Sequence, residues 1–324
     1  KRIESGDMGW KLGPDGRSLI ALNEVGAKYE YDHVISPKES NASVYELVGP
    51  RFVDGVLDGI NGTVFMYGQT ASGKTHTMFG EPNEAGVTQQ VVRAVYDKLA
   101  ARMQDGVAAG NKMKASVQVG YFEVYNEELN DLLDPNRRNL PVRASKDGGF
   151  QADIVYRAVG DANAALDVIR EGSENKKMGQ SVLNDRSSRS HSIFRMRVRV
   201  RTEGEGGKTR TTMAELNLVD LAGSETLSDK GDETNKKETS HINLSLTYLK
   251  KVIGELAHKA SFISYRNSVL TKILKQALGG NSRTTVICCI TPAAEHFKDT
   301  RNTLAFGTTA REVVLLARAN TAES

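Results

Sequence analysis

The sequence predicts a three-layer α/β fold, a mixed sheet covered by helices on both faces. Two observations carry that class. Short β-branched runs alternate with segments whose apolar residues recur every three or four positions. One such run, "GTVFMY" (62–67), feeds a Gly-rich loop with a helical pattern directly behind it. No repeat, low-complexity stretch or Pro-rich linker divides the 324 residues, so a single domain is expected.

The elements follow in order. "VTQQVVRAVYDKLAARM" (87–103) has helical spacing, and "ASVQVGYFEVY" (115–125) reads as a strand. In "HSIFRMRVRVRT" (191–202), Arg195, Arg197, Arg199 and Arg201 alternate with apolar residues and so share one face. With no aromatic residues interleaved to stack bases, a strand facing acidic partners is expected there, not a nucleic-acid surface. "TEGEGGKTR" (202–210) reads as a hairpin tip leading to the strand "TMAELNLVDLA" (212–222). "SDKGDETNKKETS" (228–240) reads as an exposed loop before the amphipathic helix "HINLSLTYLKKVIGELAHK" (241–259). The last strand pattern is "RTTVICCITPA" (283–293), whose Cys288 and Cys289 point to opposite faces and are expected to be unpaired.

Charged residues make up 26% of the chain and hydrophobic ones 39%, ordinary globular usage, and a formal charge of +3 does not imply nucleic acid. No apolar run approaches the roughly 20 residues that span a bilayer, so no membrane segment is expected and a cytosolic protein is. The histidines lack paired spacing, and no metal site is expected from them.

"GQTASGKT" (68–75) is a phosphate loop in its proper strand–loop–helix setting. Backbone N–H groups of Gly68, Gln69, Thr70, Ala71, Ser72 and Gly73 would wrap phosphates. Lys74 would reach the β- and γ-phosphates, and the Thr75 hydroxyl would ligate Mg²⁺. Asp220 ends an apolar strand, where a carboxylate near Mg²⁺ belongs, and Gly223 comes soon after with a backbone N–H. "NDRSSRSH" (184–191) offers hydroxyls for Mg²⁺ or water, and alone it could equally be a solvated polar turn.

"GQTASGKTHTM", "NDRSSRSH" and "VDLAGSE" resemble, in this order, the phosphate loop, switch I and switch II of the kinesin motor domain. "YFEVYNEELNDLL", "HINLSLTYLKKVI", "YRNSVLTKIL" and "NTLAFGTTAR" also resemble kinesin motifs, and the likeness covers nearly the whole chain. "GQTASGKT" and "SHSIFRM" look most like the centromere-associated, plus-end-directed group. The resemblance implies a kinesin-type phosphate-loop fold with a mainly parallel central sheet, and an ATP-driven motor that binds ATP or ADP with Mg²⁺. His76 would lie against adenine. Ser188 would touch Mg²⁺ and the γ-phosphate, Ser187 would position water, Asp220 would hold a Mg²⁺-bound water, and Gly223 would detect the γ-phosphate. Arg189 and Glu225 would form a latch closing both switches, with Glu225 also relaying a proton.

The same resemblance implies a microtubule-binding surface carrying Lys230, Lys236, Lys237, Lys250, Lys251, Arg266 and Lys272. Kinesins usually read "PYRDSKLT" where this chain has "SYRNSVLT" (264–271), so one expected track contact, a lysine at 269, is lost. Residues 1–312 would be the motor domain and 313–324 the start of a neck linker, with Asn320 near a linker asparagine. That placement implies plus-end direction, with any dimerising coiled coil outside this chain, and a cytoplasmic, microtubule-associated location that could include spindle or kinetochore. Kinesins open with an Arg-x-Arg-Pro strand. "KRIESGDMGWKLG" resembles the stretch just after that motif, so such a strand is expected to precede Lys1. Two other readings stand beside the motor: a non-motile microtubule adaptor, and a switch GTPase. The second is disfavoured because "NKMK", "NKKM" and "NKKE" lack the aspartate of a guanine-reading motif.

Overall fold

The alternation of apolar residues along "GTVFMY" sorts them onto two faces of a sheet. Val64 and Met66 enter one apolar cluster, while Phe65 and Tyr67 enter another. The computed structural model of the chain describes residues 8–24, 26–108, 111–146, 148–178, 189–204, 207–225 and 233–323, the stretch 233–243 by its backbone alone. Serines 187 and 188 and Lys230, expected at the site and the track surface, lie outside the described residues.

Strands β1 (Trp10–Leu12), β2 (Ser18–Ala21) and β3 (Lys28–Glu30) form a small antiparallel sheet. Helix α1 (Asn41–Leu57) starts at Ser40, whose hydroxyl accepts from the Ser43 N–H. Strand β4 (Gly62–Gly68), buried throughout, runs into the phosphate loop and then helix α2 (Lys74–Phe79). The short pair β5 (Gly80–Glu81) and β6 (Glu84–Ala85) precedes α3 (Val87–Ala108). Next come β7 (Lys112–Tyr125), β8 (Glu128–Asp131), β9 (Arg143–Ala144), β10 (Phe150–Gln151), β11 (Arg157–Val159) and α4 (Ala162–Met178). Strands β12 (His191–Glu203) and β13 (Thr209–Asp220) form the expected hairpin, paired from Ser192–Asp220 to Glu203–Thr209. Helix α5 (Glu233–Ala257) is followed by α6 (Val269–Ile273), α7 (Lys275–Gly279), β14 (Arg283–Cys289), α8 (Phe297–Arg311) and β15 (Thr321–Glu323).

The main sheet has the order β11-β7-β12-β13-β4-β14, with β8 on β7 and β15 on β13. The first four helices pack on the face of Val64 and Met66, and α5 to α8 pack on the face of Phe65 and Tyr67. The three-layer fold is therefore as expected, but the parallel majority is not. Among the described ladders of this sheet only β13–β4 and β4–β14 are parallel. The rest is antiparallel: the hairpins β7–β8 and β12–β13, whose short connections permit only antiparallel neighbours, and the ladders of β12 and β11 on β7. The parallel part is confined to the strands that end at the phosphate loop.

A second correction concerns 228–240. The helix begins at Glu233, so "ETNKKETS" belongs to α5 and not to a loop. Lys236 and Lys237 accordingly stand on a helix. The arginine row is as expected in part: Arg197 faces Glu215 in register and bonds it at 2.6 Å. Arg195, however, is buried, with its Nε on Asn217 at 2.7 Å. Cys288 and Cys289 are both unpaired.

Candidate functional site

The loop between β4 and α2 is shaped by its glycines. Gly68 has φ of +156°, and a Cβ there would meet the Cys289 carbonyl oxygen at 2.0 Å, so no side chain fits. Gly73 adopts φ of +97° at the entry to α2 with open space beside it. Ser72 closes the turn by donating its N–H and hydroxyl to the Gln69 carbonyl. Ala71 sits at φ of +61° between them.

Lys74 is buried beneath this loop and donates to the carbonyls of Gly68 and Gln69 at 2.9 and 2.8 Å. Burial holds its pKa below the usual lysine range, against the pull of Asp220 and Glu225. Asp220 reaches the loop because β13 runs parallel to β4, with Asp220 opposite Met66. Its Oδ2 accepts from the Thr75 hydroxyl at 2.6 Å, a charge-assisted bond worth about 1.5–3 kcal/mol. Its Oδ1 is buried with no hydrogen-bond partner. Burial raises the Asp220 pKa, opposed by Thr75, Lys176 and Lys74. One loop thus holds a desolvated cation and a desolvated anion. A polyanion carrying a divalent cation would satisfy both. The orphaned carboxylate oxygen beside a threonine hydroxyl therefore fits Mg²⁺.

The segment after Asp220 returns to the phosphate loop. Leu221 N–H donates to the Met66 carbonyl, and Ser224 N–H donates to that of Gly68 at 3.0 Å. Gly223 lies between them, and a Cβ there would meet Thr70 Oγ1 at 2.3 Å and the Glu225 carboxylate at 2.4 Å. Glu225 accepts from Thr70 with both oxygens, the N–H at 2.8 Å and the hydroxyl at 2.5 Å. The phosphate loop thus engages both carboxylate oxygens of Glu225, the residue expected to meet Arg189. His76 lies on the rim, half-exposed, with Nε2 3.3 Å from Glu84. Glu84 in turn accepts from the Asn41 N–H at 2.8 Å.

The basic residues expected at the track are divided. Helices α5 and α6 share the apolar cluster of Leu249, Val252, Leu270 and Ile273, which brings Lys251, Arg266 and Lys272 onto neighbouring elements. Lys250 instead lines a groove toward α8 with Ile253, Asn302 and Phe306. Lys236 and Lys237 are described by their backbone alone.

Beyond α8 the chain returns to the main sheet, where β15 pairs antiparallel with β13 through Thr321–Thr212, Ala322–Thr211 and Glu323–Arg210. Asn320 anchors it. Its side-chain amide donates to the carbonyls of Gly59 at 3.0 Å and Met213 at 3.1 Å, while its Oδ1 accepts from Asn281 at 2.9 Å. The backbone joins in, with Asn320 N–H on the Gly59 carbonyl and Met213 N–H on that of Asn320. Sequence reading pointed to Asn320 but missed its partners, Gly59, Met213 and Asn281, which carry no motif of their own.

The family profile described as the kinesin motor domain matches residues 18–313. Similar curated proteins include "Kinesin-like protein KIN-7K, chloroplastic" of Oryza sativa subsp. japonica, 37% identical over 99% of this chain and 30% of the relative. "Kinesin-like protein KIN-7N" of Arabidopsis thaliana is 36% identical over 98% of this chain and 38% of the relative. The chain thus spans about a third of the length of these relatives. Among solved structures, that of a fast kinesin superposes with a TM-score of 0.86 at 32% identity, covering 97% of this chain and 88% of the other.

Proposed function

The chain belongs to the kinesin motor-domain family, and from that premise we propose that it is an ATP-driven microtubule motor. The observation that carries this reading is the pair of desolvated opposite charges at one loop, Lys74 and Asp220, which suits a Mg²⁺–polyphosphate ligand. The backbone from Gly68 to Gly73 would wrap the phosphates, and Lys74 would exchange its two carbonyls for phosphate oxygens. Thr75, Asp220 through water, and Ser188 would hold Mg²⁺, which supplies charge stabilisation at the phosphoryl oxygens when bound. His76 would shelve the adenine.

Glu225 would leave Thr70 and meet Arg189, closing the loop that contains Gly223, and would relay, through a second water, the proton of the water that Ser187 helps position. The exchange of Thr70 for Arg189 would then act as a two-position switch. Helix α5, next along the chain, would carry the change to the microtubule through Lys236, Lys237, Lys250 and Lys251, with Lys230 ahead of it in the sequence and Arg266 and Lys272 beside it. Acidic tubulin would be held in a salt-dependent way.

Residues 1–312 would form the motor and 313–324 the start of the neck linker, whose docking along β13 is the stroke. A linker on the C-terminal side of the core supports plus-end direction, with dimerisation by a coiled coil beyond this chain. The likeness of "GQTASGKT" and "SHSIFRM" to centromere-associated kinesins supports work on cytoplasmic microtubules in chromosome or spindle movement.

Steady-state ATP turnover with and without stabilised microtubules tests the proposal. Slow basal turnover should rise at least about 10-fold with microtubules, as in partner-stimulated phosphate-loop enzymes. A flat response would leave a non-motile microtubule adaptor as the better description.

A further inference from the structure

His191 closes the "SSRSH" motif and is only 2% exposed. It is the first residue of β12, opposite Val124 of β7, while its neighbour Ser192 stands opposite Asp220 of β13. Its ring has two partners, one on each side. Nδ1 accepts from the Ala222 N–H at 3.0 Å, and Nε2 lies 2.7 Å from the Ser245 hydroxyl on α5. Because Nδ1 accepts, the ring proton sits on Nε2 and donates to Ser245. Ala222 is the residue immediately before Gly223, and Ser245 is 2% exposed on the core side of α5.

The imidazole therefore spans three elements that need not move together. One is the root of a central strand. Another is the backbone that leads to the phosphate-facing Gly223. The third is the helix expected to meet the track. Both nitrogens are engaged, so neither metal ligation nor proton shuttling is open to this ring without breaking the brace. Burial, with Lys176 and Lys74 nearby, pushes its pKa down to about 3, so the ring stays neutral and keeps one tautomer.

We propose that His191 is a positioning residue that ties the backbone before Gly223 to α5, so that a displacement of α5 reaches the phosphate loop through one imidazole. The inference rests on the motor reading for its role in turnover, but the brace itself does not. Two variants separate its arms. Ser245→Ala removes the α5 contact of the ring and leaves the Ala222 bond in place. His191→Asn keeps an acceptor near the position of Nδ1 but cannot reach Ser245.

Both variants should bind a fluorescent ATP analogue within about 2-fold of wild type, while the ratio of microtubule-stimulated to basal turnover falls about 5-fold or more. The double variant should be no worse than the single ones, since both cut one link. Equal loss of basal and stimulated turnover, or an unchanged ratio in both variants, would overturn the proposal. Amide exchange in the absence of microtubules gives a second readout. Ser245→Ala should speed exchange at Ala222 by about 5-fold or more, because the ring that accepts from it is no longer held on its far side. Unchanged protection at Ala222 would sink the brace even if the motor reading stands. A wild-type protein that microtubules do not stimulate would sink the motor reading, and the exchange result would still decide the brace.

Discussion

Ser264 donates to Glu255 twice, its N–H at 2.7 Å and its hydroxyl at 2.9 Å, so the loop after α5 is tied to the last turns of that helix. Kinesins usually carry proline at this position, and proline has no N–H to give. Ser264 has φ of −83°, close to what proline adopts, so Ser264→Pro would cost hydrogen bonds and not backbone strain. Denaturant unfolding should show Ser264→Pro less stable by about 1–3 kcal/mol, and Ser264→Ala, which keeps the N–H, by about half as much. Equal losses would mean that the backbone bond contributes nothing.

Glu225 should be dispensable for binding and needed for hydrolysis. Glu225→Ala frees Thr70 and removes the proposed proton relay, so ATP affinity should hold while turnover falls about 10²-fold or more. Turnover close to wild type would remove Glu225 from the reaction.

Asp220 sets an opposition of signs. Its folded pKa is raised, so its charge destabilises the ligand-free protein as pH rises from the unfolded carboxylate range through the folded value. Asp220→Asn removes that penalty. The stability of wild type relative to Asp220→Asn should therefore fall with rising pH, while the thermal shift given by MgATP should be much smaller in the variant. A variant stabilised by MgATP as strongly as wild type would show that Asp220 does not serve the metal.

His191 predicts the opposite slope. Neutral when folded down to about 3, it would take a proton below about 6.5 when unfolded, so its contribution is present above that value and lost as pH falls. Between pH 6 and 5, wild type should lose about 1 kcal/mol more than His191→Asn. Parallel pH profiles would mean that the ring titrates normally in the fold.

Asn320→Ala removes the side chain that holds the tail at Gly59, Met213 and Asn281. Amide exchange along β15 should rise about 10-fold or more, nucleotide affinity should stay, and gliding should slow. A still-protected β15 would place the anchor in the backbone ladder alone.

Much of the site was legible because its parts are local. Gly68 to Thr75 are contiguous, and Asp220 ends a strand whose apolar pattern marks it. What could not be read are partners brought together by the fold. The partners of His191 lie 31 and 54 residues away, and nothing in "SSRSH" separates a brace from a polar turn. Glu225 is bonded by Thr70, 155 residues earlier, a contact that no local motif announces. The start of α5 was misplaced because mixed charges at 233–240 read as loop, although such residues also suit an exposed helical turn.

Strand β13 holds Asp220 at one end and receives β15 at the other, across Arg210–Thr212. Its twelve residues span about 40 Å and are laddered to β12 along their whole length. A one-residue slide would turn every side chain to the wrong face, so the strand cannot act as a piston. The carboxylate at the phosphate loop and the berth of β15 are therefore bolted to the same stationary beam. Any coupling between the two ends has to travel around it, through whatever rides on its surface.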